Sequence, residues 1–231
     1  MRANFSLKNK IKRILGRSPA LYFAYSKIAF RREVREECLF KPTTELVIEG
    51  FPRSANTFSV VAFRSAQNSK IEVAHHIHSE AQILAAVKLS KPVVVLIRNP
   101  DDAVRSLMIR QSSNCPTDHF ERYFDFYNLV SSTLDDVVIA KFENVIADFG
   151  SIICEVNEKF DMNYRSFISS PENISRVFEE IDGINTRVSK GLASHVARPD
   201  AERMNDTIDL GDSIWRKRAN QLYVELTEMT K

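Results

Sequence analysis

The sequence has few cysteines, no long apolar run and almost no excess charge, and each absence excludes a class of protein. Cys38, Cys115 and Cys154 are widely spaced and form no CxxC pair, so neither a zinc site nor a disulfide framework is predicted. No apolar run approaches the ~20 residues that span a bilayer, and a cytoplasmic location is expected. Lys and Arg number 32 against 30 Asp and Glu, which argues against a nucleic-acid partner but allows a local basic pocket for one anionic ligand.

The first forty residues are basic and interleave Lys and Arg with apolar side chains. They predict two helices, Leu7–Leu15 and Pro19–Glu36. A basic amphipathic segment of this kind either packs on the main body or touches a membrane surface. We expect residues 1–40 to form a helical segment packed on the domain, and peripheral membrane contact stays open.

From residue 41 the pattern of strands and helices becomes regular, and residues 41–231 are predicted to form a single α/β domain. The predicted strands are Glu45–Glu49, Lys70–Ala74, Pro92–Ile97 and Val137–Phe142; the predicted helices are Thr57–Gln67, Ser79–Leu89, Pro100–Ile109, Asp118–Thr133, Val145–Phe160 and Ser213–Thr230. Alternation of this kind predicts a three-layer α/β/α fold with a central parallel sheet. The pattern weakens over residues 160–211, for which an irregular cap is expected. The aromatic residues of Asp118–Thr133 are expected to pack that helix, and the lining of an apolar acceptor site is the alternative.

A polar loop, GFPRSANTF at residues 50–58, connects the first strand to the next helix. At such a position backbone N–H groups converge and the helix dipole adds positive potential, so an anion is favoured there. Arg53 contributes a full positive charge at that point. Ser54, Asn56 and Thr57 contribute side-chain donors, and Ala55 is small enough to let an anion approach the backbone. The Gly-Lys-Ser/Thr ending of a Walker A loop is missing. The segment therefore predicts an anion site without an obvious magnesium ligand, with an ordinary strand-to-helix turn as the alternative.

A second polar segment, RNPDDAVRS at residues 98–106, follows the strongest predicted strand. Pro100 suits the first position of a helix, and Ser106 then lies about two turns along it. Arg98 can form a bidentate pair with a phosphate. Because ligands of open α/β sheets bind at the carboxyl ends of the strands, both segments can meet one extended ligand that carries two phosphates. A surface ion pair of Arg98 with Asp101 or Asp102 is the alternative.

Together the two segments resemble the motifs that bind 3′-phosphoadenosine 5′-phosphosulfate (PAPS) in cytosolic-type sulfotransferases. The chain resembles a microbial member of that family. There Pro-Lys-Ser-Gly-Thr-Thr-Trp cradles the 5′-phosphosulfate and Arg-Asn-Pro-x-Asp-x-x-x-Ser holds the 3′-phosphate. The second motif occurs here with identical spacing. The resemblance covers residues 44–160 and, more loosely, 185–205. It implies a nucleotide-kinase-like (P-loop) architecture with PAPS as co-substrate, 3′,5′-adenosine bisphosphate (PAP) as product, and no metal.

The resemblance also implies roles for individual residues. Arg53 replaces the Lys that contacts the transferring sulfonate, a change that keeps the charge and alters the geometry. Arg98 and Ser106 would hold the 3′-phosphate. The remaining implied cofactor contacts are the cradle Ser54, Ala55, Asn56 and Thr57; Phe58, in place of a Trp that stacks near the adenine; and Lys190 and Gly191, in a loop that closes over the 3′-phosphate. Ser189 stands where that closing loop has an Arg. Glu143 resembles a structural Glu at a strand end.

Three histidines, in AHHIH at residues 74–78, follow the second strand. A His of near-neutral pKa is a natural base for an acceptor proton. The family has Lys-Thr-His-Leu-Pro here, which makes His76 the implied catalytic base, with His75 and His78 as fallback bases. Ala74 falls where the family carries a catalytic Lys. A metal site and a purely structural triplet are the alternatives, and no nearby Cys or carboxylate clearly completes a metal site.

The sequence therefore predicts in-line transfer of a sulfuryl group from PAPS to an acceptor hydroxyl or amine, with His76 as base and Arg53 stabilising negative charge. Carbohydrate, lipid and small-alcohol acceptors all fit. A non-catalytic nucleotide-binding module, a small-molecule kinase and a membrane-peripheral interaction protein are the alternatives.

Overall fold

The structure is a computed structural model, and it describes residues 13–189 and 208–229, with the side chains of 187–189 excepted. Within this part the strands are β1 (Leu46–Gly50), β2 (Val73–His75), β3 (Val93–Ile97) and β4 (Val138–Lys141). The helices are α1 (Pro19–Ala29), α2 (Arg32–Glu37), α3 (Asn56–Ala66), α4 (Glu80–Lys88), α5 (Pro100–Gln111), α6 (Pro116–Val130), a 3₁₀ helix (Ser131–Asp136), α7 (Phe142–Ala147), α8 (Phe149–Phe160), α9 (Pro171–Ser189) and α10 (Ile214–Glu228). Residues 13–16 are helical as well.

The four strands form one parallel sheet in the order β2-β1-β3-β4. Val47 of β1 is paired with Ala74 on one side and with Val93 on the other. Because β2 and β3 flank β1 on opposite sides, the chain reverses its direction across the sheet after β2. At such a reversal the carboxyl ends of the two central strands open a crevice. The ends of β1 and β3 therefore mark the place where a ligand is expected.

Side chains of the central strands alternate between two hydrophobic clusters. Val47, Val95 and Ile97 pack with α4, α5, α6 and α10. Ile48, Val94 and Leu96 pack on the opposite face with α3, α8 and α9. All residues of β1 and β3 are buried, as in a parallel sheet covered on both faces. The expected three-layer α/β/α fold with a central parallel sheet is confirmed.

Gly50 allows β1 and β3 to approach closely just before the loop. A Cβ atom at this position would lie 2.4 Å from the carbonyl oxygen of Leu96, which is inside any normal contact distance. The strand that leads into the loop must therefore end in glycine for the two strand ends to lie side by side.

Four elements differ from the sequence prediction. β2 begins at Val73 instead of Lys70, and its register with β1 starts at the pair Leu46 and Val73. The helix predicted over Pro19–Glu36 is two helices, and Arg35 donates a hydrogen bond to the carbonyl of Phe30 between them at 3.1 Å. The helix predicted over Val145–Phe160 is divided at Asp148, whose side chain accepts from the backbone N–H of Gly150 at 3.0 Å.

The fourth difference concerns residues 160–211, for which an irregular cap is expected. The described part of this range contains α9, a helix of 19 residues. Ile174, Val177, Ile181 and Ile184 recur at spacings of three and four and pack on the cluster around α3 and α8. This amphipathic period explains the helix, so the expectation of an irregular segment is wrong for Pro171–Ser189.

The described part of the N-terminal segment packs on the α/β body. Tyr22 of α1 is fully buried with Ile77 and Ala81. Arg13 forms ion pairs of 3.1 Å with Glu121 and with Asp125 of α6. No helix within residues 13–189 and 208–229 is long and apolar enough to cross a bilayer.

Candidate anion-binding site

The loop between β1 and α3 has the backbone shape of an anion cradle. Arg53 (φ 75°) and Ala55 (φ 65°) both lie in the left-handed region, on either side of Ser54. Alternation of this kind turns successive N–H groups toward one point and forms a concave group of donors, here called the nest. Ala55 is also the N-cap of the 11-residue helix α3, whose dipole adds positive potential at the same point.

Two tyrosines of α6 hold the loop and the neighbouring strand end in place. The hydroxyl of Tyr127 accepts from the backbone N–H of Phe51 at 3.1 Å and donates to the carbonyl of Leu96 at 2.6 Å. Tyr123 donates to the carbonyl of Arg98 at 2.7 Å. Both rings are fully buried. The packing expected for these aromatic residues is present, but the sequence gives no sign that their hydroxyls would fix the ends of β1 and β3.

The second polar segment begins α5 as the sequence predicts. Asn99 is the N-cap, and its side chain accepts from the backbone N–H groups of Asp101 (3.0 Å) and Asp102 (3.3 Å). Pro100 occupies the first turn. Arg98 precedes this cap, and its guanidinium lies 4.1 Å from the centre of the Phe142 ring. The stacked ring fixes the plane of the guanidinium beside the strand end.

The two segments meet at the carboxyl edge of the sheet. Arg98 donates to the backbone carbonyl of Arg53 at 3.1 Å, and the side chain of Arg53 donates to the hydroxyl of Ser106 at 2.8 Å. Three residues from separate parts of the sequence are thus brought together. Ser106 is one of the residues expected to hold the 3′-phosphate. Because Arg53 contacts it, the side chain of Arg53 links the two expected anion positions.

Electrostatics at this edge favour an anion. Burial lowers the pKa of Arg98 below its ordinary 12.5, although Asp102 and Glu143 act in the opposite direction. The group still carries its charge at neutral pH. Because a cation that is partly removed from water attracts an anion more strongly than an exposed one, Arg98 is suited to bind a phosphate.

The predicted cradle residues differ in which of their groups are accessible. Ser54 and Asn56 are buried, and the amide of Asn56 donates to the carbonyl of Phe51 at 3.0 Å. Their contribution to the nest is therefore through backbone N–H groups, contrary to the expectation of side-chain donors. Arg53 and Thr57 are partly exposed and keep their side chains at the surface of the loop.

Phe58 does not take the position expected for an adenine contact. Its ring is 4% exposed and packs against Phe149, Phe167 and Phe178, with centroid distances of 6.4, 6.3 and 5.7 Å. A base has almost no exposed ring surface to stack on here, and the expectation is corrected to a core contact. Lys190 and Gly191, expected to close over the 3′-phosphate, lie outside the described residues.

His75 and His76 form a hydrogen-bonded chain that reaches the loop. Arg64 contacts Nε2 of His75 at 3.1 Å, the two Nδ1 atoms are 2.7 Å apart, and Nε2 of His76 lies 3.0 Å from the hydroxyl of Thr57. Burial together with Arg110 and Arg64 lowers the pKa of His76 to about 4. Burial together with His76 and Arg64 lowers the pKa of His75 to about 2. Both imidazoles are therefore neutral at physiological pH.

His78 makes a separate contact at the end of β1. Its Nδ1 lies 2.8 Å from the carbonyl oxygen of Gly50 and 3.8 Å from the carboxylate of Glu49. Glu49 is fully buried and accepts from the N–H groups of Ile77 (2.8 Å) and His78 (3.0 Å) and from the side chain of Gln82 (2.7 Å). Sequence reasoning missed Glu49, although a single acidic residue in an otherwise apolar strand is a signal of a buried polar role.

Two further features of the described residues bear on the choice of site. A cavity of about 390 Å³ lies beside β2, lined by charged side chains of both signs that include Glu36, Lys41 and Arg64, but no residue of 50–58 lines it. Among residues 13–189 and 208–229, no group of three or more His, Cys, Asp or Glu is placed to hold a metal ion.

Fold and site geometry together describe a parallel α/β protein with a nest-shaped loop between its first strand and the following helix. No family model and no curated protein matches the chain. Among solved structures, it is similar to the crystal structure of mouse sulfotransferase SULT7A1 complexed with PAP, with 12% sequence identity, coverage of 87% of this chain and 90% of that chain, and a TM-score of 0.40. A likeness this low assigns neither a function nor the site.

Proposed function

We propose that the protein is a sulfotransferase that moves a sulfuryl group from PAPS to an acceptor hydroxyl or amine. The observation that carries the proposal is the contact of Arg53 with Ser106, beside Arg98, at 2.8 Å. It brings the nest and the second polar segment to one edge of the sheet. An adenosine with separate phosphate groups at its 5′ and 3′ positions fits two adjacent anion positions of this kind.

The residues present suit PAPS better than ATP. The loop has no Lys and Ser/Thr pair to hold β- and γ-phosphates with Mg²⁺, whereas Arg98 offers a guanidinium fork for an isolated phosphate. PAPS supplies an activated sulfuryl group on a phosphate leaving group. In this assignment Arg98 and Ser106 anchor the 3′-phosphate, while Arg53 and the N–H groups of the nest stabilise negative charge at the 5′ end. A histidine of the triplet accepts the acceptor's proton.

Calorimetric titration of the protein with PAP, and then with ATP, tests the donor assignment. We expect saturable binding of PAP and at least roughly tenfold weaker binding of ATP, which has no 3′-phosphate for Arg98. Tighter binding of ATP, or no measurable binding of PAP, would contradict the proposal. Release of PAP from PAPS, measured with carbohydrate, lipid and small-alcohol acceptors, then tests transfer.

A second candidate function is a nucleotide-binding module without catalysis. It is favoured by Ala74, which stands where the family has a catalytic Lys and is 1% exposed in the hydrophobic core. No cationic side chain can therefore reach the sulfuryl group from this position. A protein of this second kind would bind PAP and PAPS with similar affinity and would release no PAP with any acceptor.

A further inference from the structure

We propose that helix α1 and the basic residues around it form a surface that binds peripherally to an anionic lipid bilayer. The inference goes beyond the proposed function, because it concerns a partner of the protein and no step of sulfuryl transfer. Two independent observations carry it. The outward side of α1 is apolar, and the first 32 residues include basic residues but no acidic ones.

The inner side of α1 is fixed to the α/β body. Tyr22 is fully buried and packs with Ile77 and Ala81. Ser26 is buried as well. Because Tyr22 and Ser26 are four residues apart, they lie on one side of the helix. The opposite side of α1 therefore faces away from the body.

That outward side of α1 carries large apolar side chains, where a water-facing helix normally carries polar ones. Leu21 is 57% exposed and Ile28 is 91% exposed. They are seven residues apart, which is about two helical turns, so both lie on the same side. Ala24 lies between them and is exposed too. Lys27 is the only charged residue within Pro19–Ala29, so the helix offers water an apolar surface.

The sequence around α1 is uniformly basic. Residues 1–32 contain no Asp or Glu, although the whole chain has a net charge of only +2. The basic residues in this range are Arg2, Lys8, Lys10, Lys12, Arg13, Arg17, Lys27, Arg31 and Arg32. Those before Arg13 lie outside the described residues, and Arg13 itself forms ion pairs with α6. Lys27, Arg31 and Arg32 are exposed at the C-terminal end of α1.

The combination of charge and apolar surface selects a lipid bilayer as the partner. Each Lys or Arg close to an anionic membrane strengthens binding by about fivefold, and neighbouring apolar side chains enter the boundary between headgroups and acyl chains. A second copy of the chain would bring two basic segments together, which like-charge repulsion opposes. A nucleic-acid duplex would attract the cations but leave Leu21 and Ile28 in water.

The size of the surface indicates that its binding is reversible. Even one myristoyl chain holds a protein to a membrane only marginally, and Leu21 and Ile28 together bury less apolar surface than such a chain. Binding therefore needs both the apolar side chains and the cations. Loss of either feature should release the protein from the membrane.

Sedimentation of the full chain with lipid vesicles tests the proposal. Vesicles of phosphatidylcholine are compared with vesicles in which roughly one lipid in three is phosphatidylserine. We expect at least roughly tenfold tighter binding to the anionic vesicles, and weaker binding when the ionic strength rises from about 0.1 M to 1 M. Equal binding to both kinds of vesicle, or no binding to either, would overturn the inference.

Leu21→Gln combined with Ile28→Gln tests the apolar contact and keeps good helix formers at both positions. Affinity for the anionic vesicles should fall roughly tenfold or more. The matched control combines Ile168→Gln with Val224→Gln, at positions that are 72% and 48% exposed on other parts of the molecule. It should stay within about threefold of wild type. Equal losses in the two double variants would mean that α1 is not the contact surface.

Lys27→Gln combined with Arg31→Gln tests the electrostatic contact. Two lost cations should weaken binding to the anionic vesicles roughly 10- to 30-fold. The matched control, Lys159→Gln with Lys217→Gln, removes the same charge from exposed positions on α8 and α10 and should have an effect of less than about threefold. Equal effects of the two pairs would show attraction by net charge alone and contradict the proposal. Thermal unfolding checks that each variant is folded.

Two further measurements distinguish other occupants of this surface. Sedimentation velocity without lipid should show a monomer; self-association that Leu21→Gln with Ile28→Gln abolishes would assign the surface to a second copy and overturn the inference. A DNA duplex that bound as tightly as the anionic vesicles, with no effect of that double variant on either, would also overturn it. The same variant should keep PAP affinity within about threefold of wild type, so the inference and the proposed function can fail separately.

Discussion

The assignment of Arg98 to a 3′-phosphate gives a quantitative prediction for Arg98→Gln. The side chain is held by its hydrogen bond to the carbonyl of Arg53 at 3.1 Å and by the ring of Phe142 at 4.1 Å, so little ordering is needed when a phosphate binds. A hydrogen bond to a charged group contributes about 1.5–3 kcal/mol. Removal of the guanidinium should therefore weaken PAP binding roughly 10- to 150-fold.

A thermodynamic cycle over protein variant and ligand isolates the free energy of the contact between Arg98 and the 3′-phosphate. Calorimetry compares wild type and Arg98→Gln with PAP and with 5′-AMP, which has no 3′-phosphate. The loss should appear with PAP and shrink to less than about threefold with 5′-AMP, because only PAP presents the group that Arg98 contacts. Ser106→Ala should show the same pattern at about fivefold, as expected for a neutral hydrogen bond of ~1 kcal/mol.

Arg98→Lys is the matched control, since it keeps the charge and loses the planar fork. It should fall between wild type and Arg98→Gln. Thermal unfolding of each variant checks that the contacts with Arg53 and Phe142 have not been lost with the whole loop. An equal loss of affinity for PAP and 5′-AMP would mean that Arg98 shapes the loop instead of binding phosphate, and the reasoning would be refuted.

Three further predictions concern stability. Phe58→Leu should lower the free energy of unfolding by about 1–1.5 kcal/mol without changing PAP affinity; a loss of affinity would restore the adenine contact. Burial acts to raise the pKa of Asp101, but hydrogen bonds from Arg216 and Asn220 lower it below 3.8. The carboxylate therefore stabilises the fold above that pH, and this stabilisation is lost as the pH falls further. The loss of unfolding free energy in Asp101→Asn, measured by urea unfolding, should shrink below about pH 4. Burial, with Arg122, lowers the pKa of His119 to about 4. The unfolded chain therefore binds a proton that the folded protein does not, and the free energy of unfolding should fall by up to about 1.4 kcal/mol per pH unit between pH 6.5 and 4. His119→Gln should remove this fall.

Much of the fold follows from local sequence signals. The apolar runs that become β1 and β3 are buried throughout. Ser79 caps α4 by accepting from the N–H of Ala81, and Asn99 with Pro100 begins α5. These features depend on a few neighbouring residues, so spacing and residue type are enough to predict them. The helix α9 was missed although its period of three and four residues is present between Ile174 and Ile184.

The site is predictable only in part, because it depends on contacts over long separations. The sequence identifies Arg53, Arg98 and Ser106, but their convergence needs the strand order of the sheet. That Asn56 turns inward to the carbonyl of Phe51 cannot be deduced from its residue type, which suits either direction. The contact between Arg64 and Nε2 of His75 is not predictable either, because Arg64 lies 11 residues earlier, on the helix of the neighbouring β1–α3 unit.

Left-handed backbone conformations are concentrated at the edge of the sheet where β1 and β2 end. Seven residues other than glycine have positive φ among those described. Ser112 and Asp161 are helix C-caps and Ser90 follows α4, places where a left-handed residue is routine. The other four are Arg53, Ala55, His76 and His78.

Those four residues follow β1 and β2; Ala55 is also the N-cap of α3, a position that ordinarily has extended backbone. Each costs about 1 kcal/mol or more and persists only where surrounding contacts enforce it. The buried carboxylate of Glu49 holds the backbone after His76, and the hydroxyl of Tyr127 holds the loop before Arg53. The left-handed conformations that shape the nest are therefore held by contacts within the chain itself. If the proposed function is correct, binding of the doubly phosphorylated nucleotide requires little further ordering of the chain, which favours affinity.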